Sequence, residues 1–146
     1  MKNTNTELQN VDDHDVTDSM TKMERNKFNV TSFYDLMFNR CKPRDAIDQY
    51  SGASYIQHNP GVTDGKEGFI AYFEQAAIEY PGKSVEFIRV FAEANHVILH
   101  CRQIWPGDHT WAGVDIFRLD EQGKILEHWD VLQIVPDEGK NMNGMF

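Results

Sequence analysis

The spacing of apolar residues changes at Gly82, and this change limits the folds that are open to the chain. Beyond Gly82, apolar and polar residues alternate along four segments, at about 84–93, 96–106, 110–119 and 124–135. Alternation with a period of two is typical of strands with one buried face. The joints between the segments are short and contain Gly, Pro, Asn or Asp. Because short joints connect antiparallel neighbours, the sequence predicts a four-stranded antiparallel meander.

Upstream of these strands, the apolar spacing is that of helices. It predicts three helices, which begin near Lys27, at Pro43 and at residues 64–65, and a short strand at residues 55–58. Helices that are segregated from an antiparallel sheet make an α+β fold. A sheet with helices on one face can curl around them, so we expect a cone-shaped cavity between the two layers.

The length of the chain fits a single domain. Residues 1–24 are polar, acidic and poor in aromatic residues, which predicts a flexible N-terminal arm, and residues 25–146 form the domain. The two cysteines, Cys41 and Cys101, do not form a CxxC pair, which indicates free thiols in a reducing compartment. No secretory signal and no apolar run of about 18 residues is present, so the sequence predicts a cytoplasmic protein.

The formal net charge of -9 narrows the choice of partners. Such a charge repels phosphate backbones and anionic lipid surfaces, so we expect neither nucleic acid nor a membrane as a partner. A chain of this length can bury a core and still enclose a pocket. The expected partner is therefore a small molecule.

Polar residues that interrupt an apolar strand face are candidates for a functional site, because a buried charge is costly unless it is paired. One face of the third long strand consists of Trp111, Gly113, Asp115, Phe117 and Leu119. Burial between these apolar neighbours would favour the protonated form of Asp115 and suit it to donate or shuttle a proton. The alternative is a structural role for Asp115, either in a salt bridge with Arg102 or Arg118 or as the cap of a neighbouring loop.

The last strand has two faces that both mix apolar and polar residues. One face consists of Leu126, His128, Asp130, Leu132 and Ile134. Here His128 and Asp130 lie two residues apart on the same side, which lets a carboxylate orient or charge an imidazole. The alternative is that the opposite face, with Trp129, is buried and that the His-Asp pair lies at the surface.

Two further histidines are weaker candidates. His100 shares a strand face with His96, and either this face or the face that contains Leu99 can point inward. His58 ends the short first strand before the turn at residues 59–61, where its side chain can face the mouth of a cavity. A structural role is equally open for His58.

Two stretches of the sequence, together with the order of elements, resemble a known family. YIQHNPGVTDGKEGF (55–69) and VDIFRLDEQGKILEHWDVLQ (114–133) are similar to the SnoaL-like polyketide cyclases, and in particular to the predicted SnoaL-like aldol-condensation subgroup. The resemblance covers about residues 28–136. It implies the cone-shaped fold of the nuclear transport factor 2-like superfamily, in which a curved antiparallel sheet wraps around three N-terminal helices.

The resemblance also implies roles for particular residues. Such cyclases use an inward aspartate on the penultimate strand as general acid/base, and Asp115 stands at the matching position. In steroid isomerases of the superfamily, an inward aspartate precedes a turn glycine by eight residues, a spacing that Asp115 and Gly123 keep. The inward positions of their last strand fall at His128, Asp130 and Leu132.

Other positions match the family less well. His58 and His100 stand where similar cyclases place pocket histidines. The second aspartate of the steroid isomerases has no match in residues 34–44, and Tyr34 and Tyr55 are the candidates for their oxyanion-hole tyrosine. A steroid isomerase is therefore not expected.

We expect a small-molecule enzyme of the lyase or isomerase type that uses no cofactor. Asp115, with His128 or His100, would remove a proton next to a carbonyl group, and an aldol closure or an isomerisation would follow. The residues expected to contact this apolar carbonyl compound are Trp111, Phe117, Leu132 and Tyr55. The alternative is a non-catalytic module of the same fold that binds a small apolar ligand.

Two further expectations concern metals and subunits. A metal site would use His100, His128 and Asp130, but isolated histidines on strands are a weak signal, so no metal is expected. Apolar residues on the side of the sheet away from the helices predict a homodimer through the outer sheet face. These residues are Val97, Ile116, Trp129 and Val131.

Overall fold

The computed structural model describes residues 20–146, in which the helices and one strand precede four consecutive strands. The helical elements are α1 (Lys22–Tyr34), a π-helical turn (Asp35–Asn39), α2 (Pro43–Tyr50) and α3 (Gly65–Glu79). The strands are β1 (Ser51–Gln57), β2 (Ser84–Glu93), β3 (His96–Ile104), β4 (Thr110–Leu119) and β5 (Ile125–Ile134). The predicted α+β class is confirmed. None of the helices in this part of the chain is long and apolar enough to cross a membrane.

The sheet order is β1-β5-β4-β3-β2. Strands β2 to β5 form the antiparallel meander that the short joints predict. The first strand, β1, pairs in parallel with β5, and this pairing places Gln57 opposite His128. The segment around Gln57 therefore contributes to the same part of the molecule as the last strand.

Two register shifts curve the antiparallel part of the sheet. One lies in β2 between Phe87 and Arg89, and the other lies between Arg118 and Leu119 where β4 pairs with β5. An extra residue in one strand bends that strand and increases its twist. The sheet consequently curls around the helices, as a cone-shaped fold requires.

Helix α1 begins at Lys22, earlier than the predicted start near Lys27. Thr21 and Glu24 form a capping box, in which the Thr21 hydroxyl accepts from the Glu24 N–H at 3.3 Å and the Glu24 carboxylate accepts from the Thr21 N–H at 2.9 Å. These bonds satisfy two backbone donors at the helix start. Residues 22–24 thus belong to the helix, while residues 1–19 of the predicted arm lie outside the described part of the chain.

The π-helical turn after α1 brings consecutive side chains into the core. Leu36, Met37 and Phe38 are all buried in this turn. The chain then reverses at Cys41, whose φ is 54°, before Pro43 begins α2. As a result, Met37 and Phe38 reach the cavity described below.

Alternation along β3 and β4 defines the inner face of the sheet, which packs against the helices. Val97, Leu99 and Cys101 on β3 have no exposed surface. The expectation that Val97 lies on the outer face is therefore wrong, because odd-numbered residues of β3 face the helices. The outer face carries other apolar side chains, among them Ile98 and Val131.

Candidate active site

A cavity lies between the helices and the inner face of the sheet. Its inner chamber measures about 40 Å³, which suits a few water molecules or one small functional group. Helical aromatic residues form one wall, and they include Phe33, Tyr34, Phe38, Phe69 and Phe73. Polar residues form the opposite wall, namely Gln57, Asn59, Gln103, His128 and Asp130. The chamber adjoins a vestibule of about 220 Å³, with which it shares several lining residues.

Asp115 lies on the inner face of β4 and has no exposed surface. A β-carbon on its neighbour Gly113 would lie 3.0 Å from Cys101 Sγ and 3.3 Å from Asp115 Oδ2. The bare backbone at Gly113 therefore leaves the room that the buried carboxyl group needs. The sequence prediction that Asp115 is enclosed by apolar neighbours agrees with this position.

Three side chains satisfy the carboxyl group of Asp115. The Tyr34 hydroxyl donates to Oδ1 at 2.5 Å, and the Cys101 thiol donates to Oδ2 at 3.2 Å. His128 Nε2 lies 3.0 Å from Oδ1. Because both oxygens are occupied and the residue is fully buried, Asp115 stands behind the wall of the chamber and not in it.

The hydrogen bonds of His128 show that one of its nitrogens carries a proton. Gln57 Oε1 accepts from the Asn59 backbone N–H at 2.9 Å, which identifies this atom as the amide oxygen. His128 Nδ1 lies 2.8 Å from the same oxygen and must therefore carry a proton. The 3.0 Å contact between Nε2 and Asp115 Oδ1 holds one further proton. The His128–Asp115 pair consequently has no net charge, whichever atom carries that proton.

Asp130 is the carboxylate in the wall of the chamber. Asn59 Nδ2 donates to its Oδ2 at 2.7 Å, and no other hydrogen bond reaches this carboxylate from residues 20–146. Burial raises the pKa of Asp130, an effect that the Asn59 hydrogen bond and His128 partly offset. A carboxylate with one occupied oxygen and a raised pKa has the properties of a general base.

The other titratable groups in the cluster are donors at neutral pH. Burial, reinforced by Asp115, raises the pKa of Tyr34 and of Tyr55 well above the usual value for tyrosine. The same two causes raise the pKa of the Cys101 thiol. These three groups therefore keep their protons, which agrees with the direction of the hydrogen bonds from Tyr34 and Cys101 to Asp115.

The structure brings together the three residues that interrupt the strand pattern. Asp115, His128 and Asp130 each offer a polar atom, and these atoms all lie within 4.8 Å of one another. The set of His100, His128 and Asp130, which the sequence analysis considered as metal ligands, does not come together because His100 lies on the opposite face of the sheet.

His100 and His58 do not reach the cavity. His100 Nδ1 lies 2.9 Å from Arg89 Nη1 on the outer face, because even-numbered residues of β3 point away from the helices. His58 Nε2 contacts Glu127 Oε1 at 2.8 Å, and its ring stacks on Trp129 at 4.8 Å. The expected pocket position is thus corrected for both histidines.

The four residues expected to contact the substrate occupy different positions. Tyr55 and Leu132 line the chamber, and Trp111 lines the vestibule. Phe117 is fully buried, and its ring packs 4.8 Å from the ring of His128. Phe117 therefore supports the imidazole from behind.

The sequence predictions did not identify two polar residues that line the chamber, Gln57 and Asn59. They flank His58, and strand alternation directs their side chains to the face opposite that of His58. The three consecutive polar residues Gln57, His58 and Asn59 were the available signal for a site in this segment. Which of their side chains face the cavity depends on how β1 pairs with β5, and the sequence does not show this pairing.

A curved sheet around helices, with a buried acid and histidine on its inner face, defines a class of small cavity-containing α+β domains. Residues 30–128 match the family described as the SnoaL-like domain. The chain belongs to this family, as the resemblance of its sequence implies. No curated protein matches the chain.

Solved structures share the fold at low sequence identity. A proposed polyketide cyclase from Acidithiobacillus ferrooxidans has a TM-score of 0.64 and 18% identity, with 77% of this chain and 91% of that chain covered. A proposed ketosteroid isomerase from Kribbella flavida has a TM-score of 0.64 and 14% identity, with coverages of 84% and 88%. An M. tuberculosis LEH-like epoxide hydrolase has a TM-score of 0.64 and 18% identity, with coverages of 77% and 86%. These structures share one architecture and carry names from different reaction classes.

Proposed function

We propose that this protein is an enzyme that transfers protons on a small carbonyl compound by general acid–base catalysis. The position of Asp130 is the observation that supports this function best. It is the carboxylate in the lining of the chamber, it has one oxygen held by Asn59, and burial raises its pKa. A base whose pKa is shifted towards neutrality removes protons more effectively at neutral pH.

In the proposed reaction, Asp130 takes a proton from the carbon next to the carbonyl group. The C–H electron pair then forms an enolate, and the buried Tyr55 hydroxyl is the donor available to its oxygen. Return of the proton from Asp130 to a different carbon completes an isomerisation. Alternatively, the enolate carbon attacks a second carbonyl carbon of the same molecule, and the resulting alkoxide takes the proton.

This proposal gives Asp115 a different role from the one its sequence position implies. Both of its oxygens are occupied by Tyr34, Cys101 and His128, and its side chain is fully buried. Asp115 is therefore proposed as a positioning residue, which holds the His128 imidazole and its shared proton beside the base. Both nitrogens of His128 are bonded to other residues, so its ring lies beside Asp130 without a hydrogen bond to it.

Proton exchange provides a test that requires no knowledge of the natural substrate. The protein is incubated in D₂O with a panel of small cyclic ketones and diketones, and loss of the α-proton signal is followed by NMR. We expect Asp130→Asn to lower the exchange rate by about 10²-fold or more. Asp48→Asn, which removes an exposed carboxylate on α2, serves as the matched control. Equal rates in the wild type and the Asp130 variant would exclude Asp130 as the base.

A non-catalytic binding module is the second candidate. Asp115 and His128 are completely hydrogen-bonded within the protein itself, which favours a fixed polar wall that only orients a ligand. In that case the panel of ketones shows no exchange above the background rate. A small molecule that co-purifies with the protein is then recovered chemically unchanged.

We further propose that two copies associate through the outer face of the sheet. Val131 is 75% exposed there, beside Ile98 and Val114, which are also exposed. The charged residues on this face form mutual pairs such as Arg102–Glu86, so the face avoids the repulsion that a net charge of -9 causes elsewhere. We expect light scattering to give the mass of a dimer, and Val131→Lys to give that of a monomer. A monomeric wild type would overturn this proposal.

A further inference from the structure

Half of the residues that line the vestibule beside the chamber are aromatic. Tyr72, Tyr80, Trp105 and Trp111 contribute to its wall. Among these residues, the rings of Tyr80 and Trp105 meet edge to face at 5.1 Å. With a volume of about 220 Å³, the vestibule is several times larger than the chamber.

The charged residues in the lining of the chamber and the vestibule have one sign. Asp108 is the charged residue in the lining of the vestibule, and Asp130 is the carboxylate in the lining of the chamber. Among residues 20–146, no lysine or arginine lines either space. The neighbour His109 lies 3.8 Å from Asp108 and is largely exposed, so it does not enclose the carboxylate. An anionic group would therefore be repelled from the vestibule.

Aromatic faces combined with a carboxylate favour a cation. The faces of tryptophan and tyrosine attract ammonium groups, with tryptophan the strongest, and several such faces around one space select alkylated ammonium ions. An uncharged apolar group would pack on the same rings but would gain nothing from Asp108. We infer that the vestibule is a binding site for an alkylammonium group, held by Trp105, Trp111 and Asp108.

This site deepens the proposed function by naming a substrate class. The chamber and the vestibule share Asn59, Tyr72, Gln103, Trp105 and Leu132, so a single molecule can extend through both spaces. The chamber accommodates the carbonyl end, next to Asp130, and the ammonium end lies in the vestibule. The substrate class is thus a small aminoketone or a related carbonyl compound with an alkylated amine. The placement of the carbonyl group beside Asp130 rests on the proposed function, whereas the cation site in the vestibule is tested independently of that function.

Tryptophan fluorescence distinguishes a cation site from a general apolar site. Choline and its uncharged isostere 3,3-dimethylbutan-1-ol are titrated separately into the full chain at constant ionic strength. We expect choline to change the fluorescence in a saturable way and to bind about ten-fold more tightly than the isostere. The two probes have nearly the same shape, so the ratio of their affinities reports the charge.

Variants locate the site, and the chain provides a matched control. Asp108→Asn should weaken choline binding by about ten-fold and leave the binding of the isostere unchanged. Trp111→Leu keeps an apolar side chain but removes the aromatic face, and should weaken choline binding by about five-fold. Trp129→Leu should change neither affinity, because Trp129 stacks on His58 on the outer face of the sheet.

Equal affinities for choline and the isostere, or full choline affinity in Asp108→Asn, would overturn the cation site. These outcomes are independent of the NMR exchange assay. Choline binding without proton exchange on any ketone would retain the vestibule site and reject the proposed catalysis. Exchange without preferential choline binding would retain the role of Asp130 and reject the ammonium-bearing substrate class.

Discussion

Two histidine–carboxylate pairs lie on opposite faces of the same edge of the sheet. In the inner pair, His128 Nε2 lies 3.0 Å from Asp115 Oδ1, and the side chains are 6% and 0% exposed. In the outer pair, His58 Nε2 lies 2.8 Å from Glu127 Oε1, and the side chains are 42% and 15% exposed. The geometry of the two contacts is similar, but the surroundings of the two pairs differ. The comparison therefore separates the effect of environment from that of residue type.

The difference lies in what replaces water around each carboxylate. Water and salt screen the outer pair, and Arg118 Nε contacts the same Glu127 at 2.7 Å. Tyr34 and Cys101 take the place of water around Asp115. A buried polar group depends on each of its partners, because a lost partner leaves an uncompensated dipole or charge in a medium that cannot solvate it. Position in the fold thus makes the inner pair the more consequential of the two.

Removing the carboxylate from each pair gives the largest expected difference. Asp115→Ala leaves His128, Tyr34 and Cys101 without their common partner, and we expect it to lower the free energy of unfolding by about 3–5 kcal/mol. Glu127→Ala removes a partly exposed, screened partner of His58, and we expect a loss of about 1 kcal/mol or less. Urea unfolding followed by circular dichroism measures both values.

The denaturant slope controls this comparison. An unchanged slope for both variants shows that the same amount of surface unfolds in each protein, so the two free energies can be compared directly. If Asp115→Ala does not accumulate as a folded protein, Asp115→Asn preserves the shape of the side chain and gives the same ranking with a smaller loss. Equal losses for the inner and outer variants would contradict the importance of burial for these pairs.

Most of the fold follows from local patterns in the sequence. The alternation after Gly82 and the short turns locate β2 to β5, and the proline at position 43 marks the start of α2. The parallel pairing of β1 with β5 could not be predicted, because it joins segments about 70 residues apart. The backbone hydrogen bonds between these strands do not depend on the identity of the side chains, so the sequence carries no signal for them. The π-helical turn could not be predicted either, because its three adjacent buried residues do not follow the apolar spacing by which a helix is recognised in a sequence.

The candidate site could be predicted in part. Alternation shows which residues share a face, and Asp115, His128 and Asp130 were identified because polar groups among apolar neighbours are unusual there. Alternation does not show which face is the inner one. For β3 both faces contain apolar residues, so the outward position of His100 depends on the packing of the helices against the other face. His58 was misplaced for the same reason.

The pH dependence of stability should differ in sign between the two faces. Burial raises the pKa of Asp130 in the folded state, so its protonation favours folding. Its contribution to stability is fully present below the ordinary aspartate pKa of about 3.9 and is lost as the pH rises through the raised value. His58 and Arg118 lower the pKa of Glu127, so its contribution is present above about 4.3 and is lost as the pH falls through the lowered value.

Urea unfolding of Asp130→Asn and Glu127→Gln between about pH 3 and pH 7 tests this reversal. The free energy of unfolding of the wild type minus that of Asp130→Asn should decrease as the pH rises, because the variant does not have to bury a charge. The corresponding difference for Glu127→Gln should increase with pH, because the ionised Glu127 gains its partners. Acid unfolding of the remaining carboxylates is common to all three proteins and cancels in both differences. Slopes of the same sign would mean that the two carboxylates, although on opposite faces of β5, experience the same kind of surroundings.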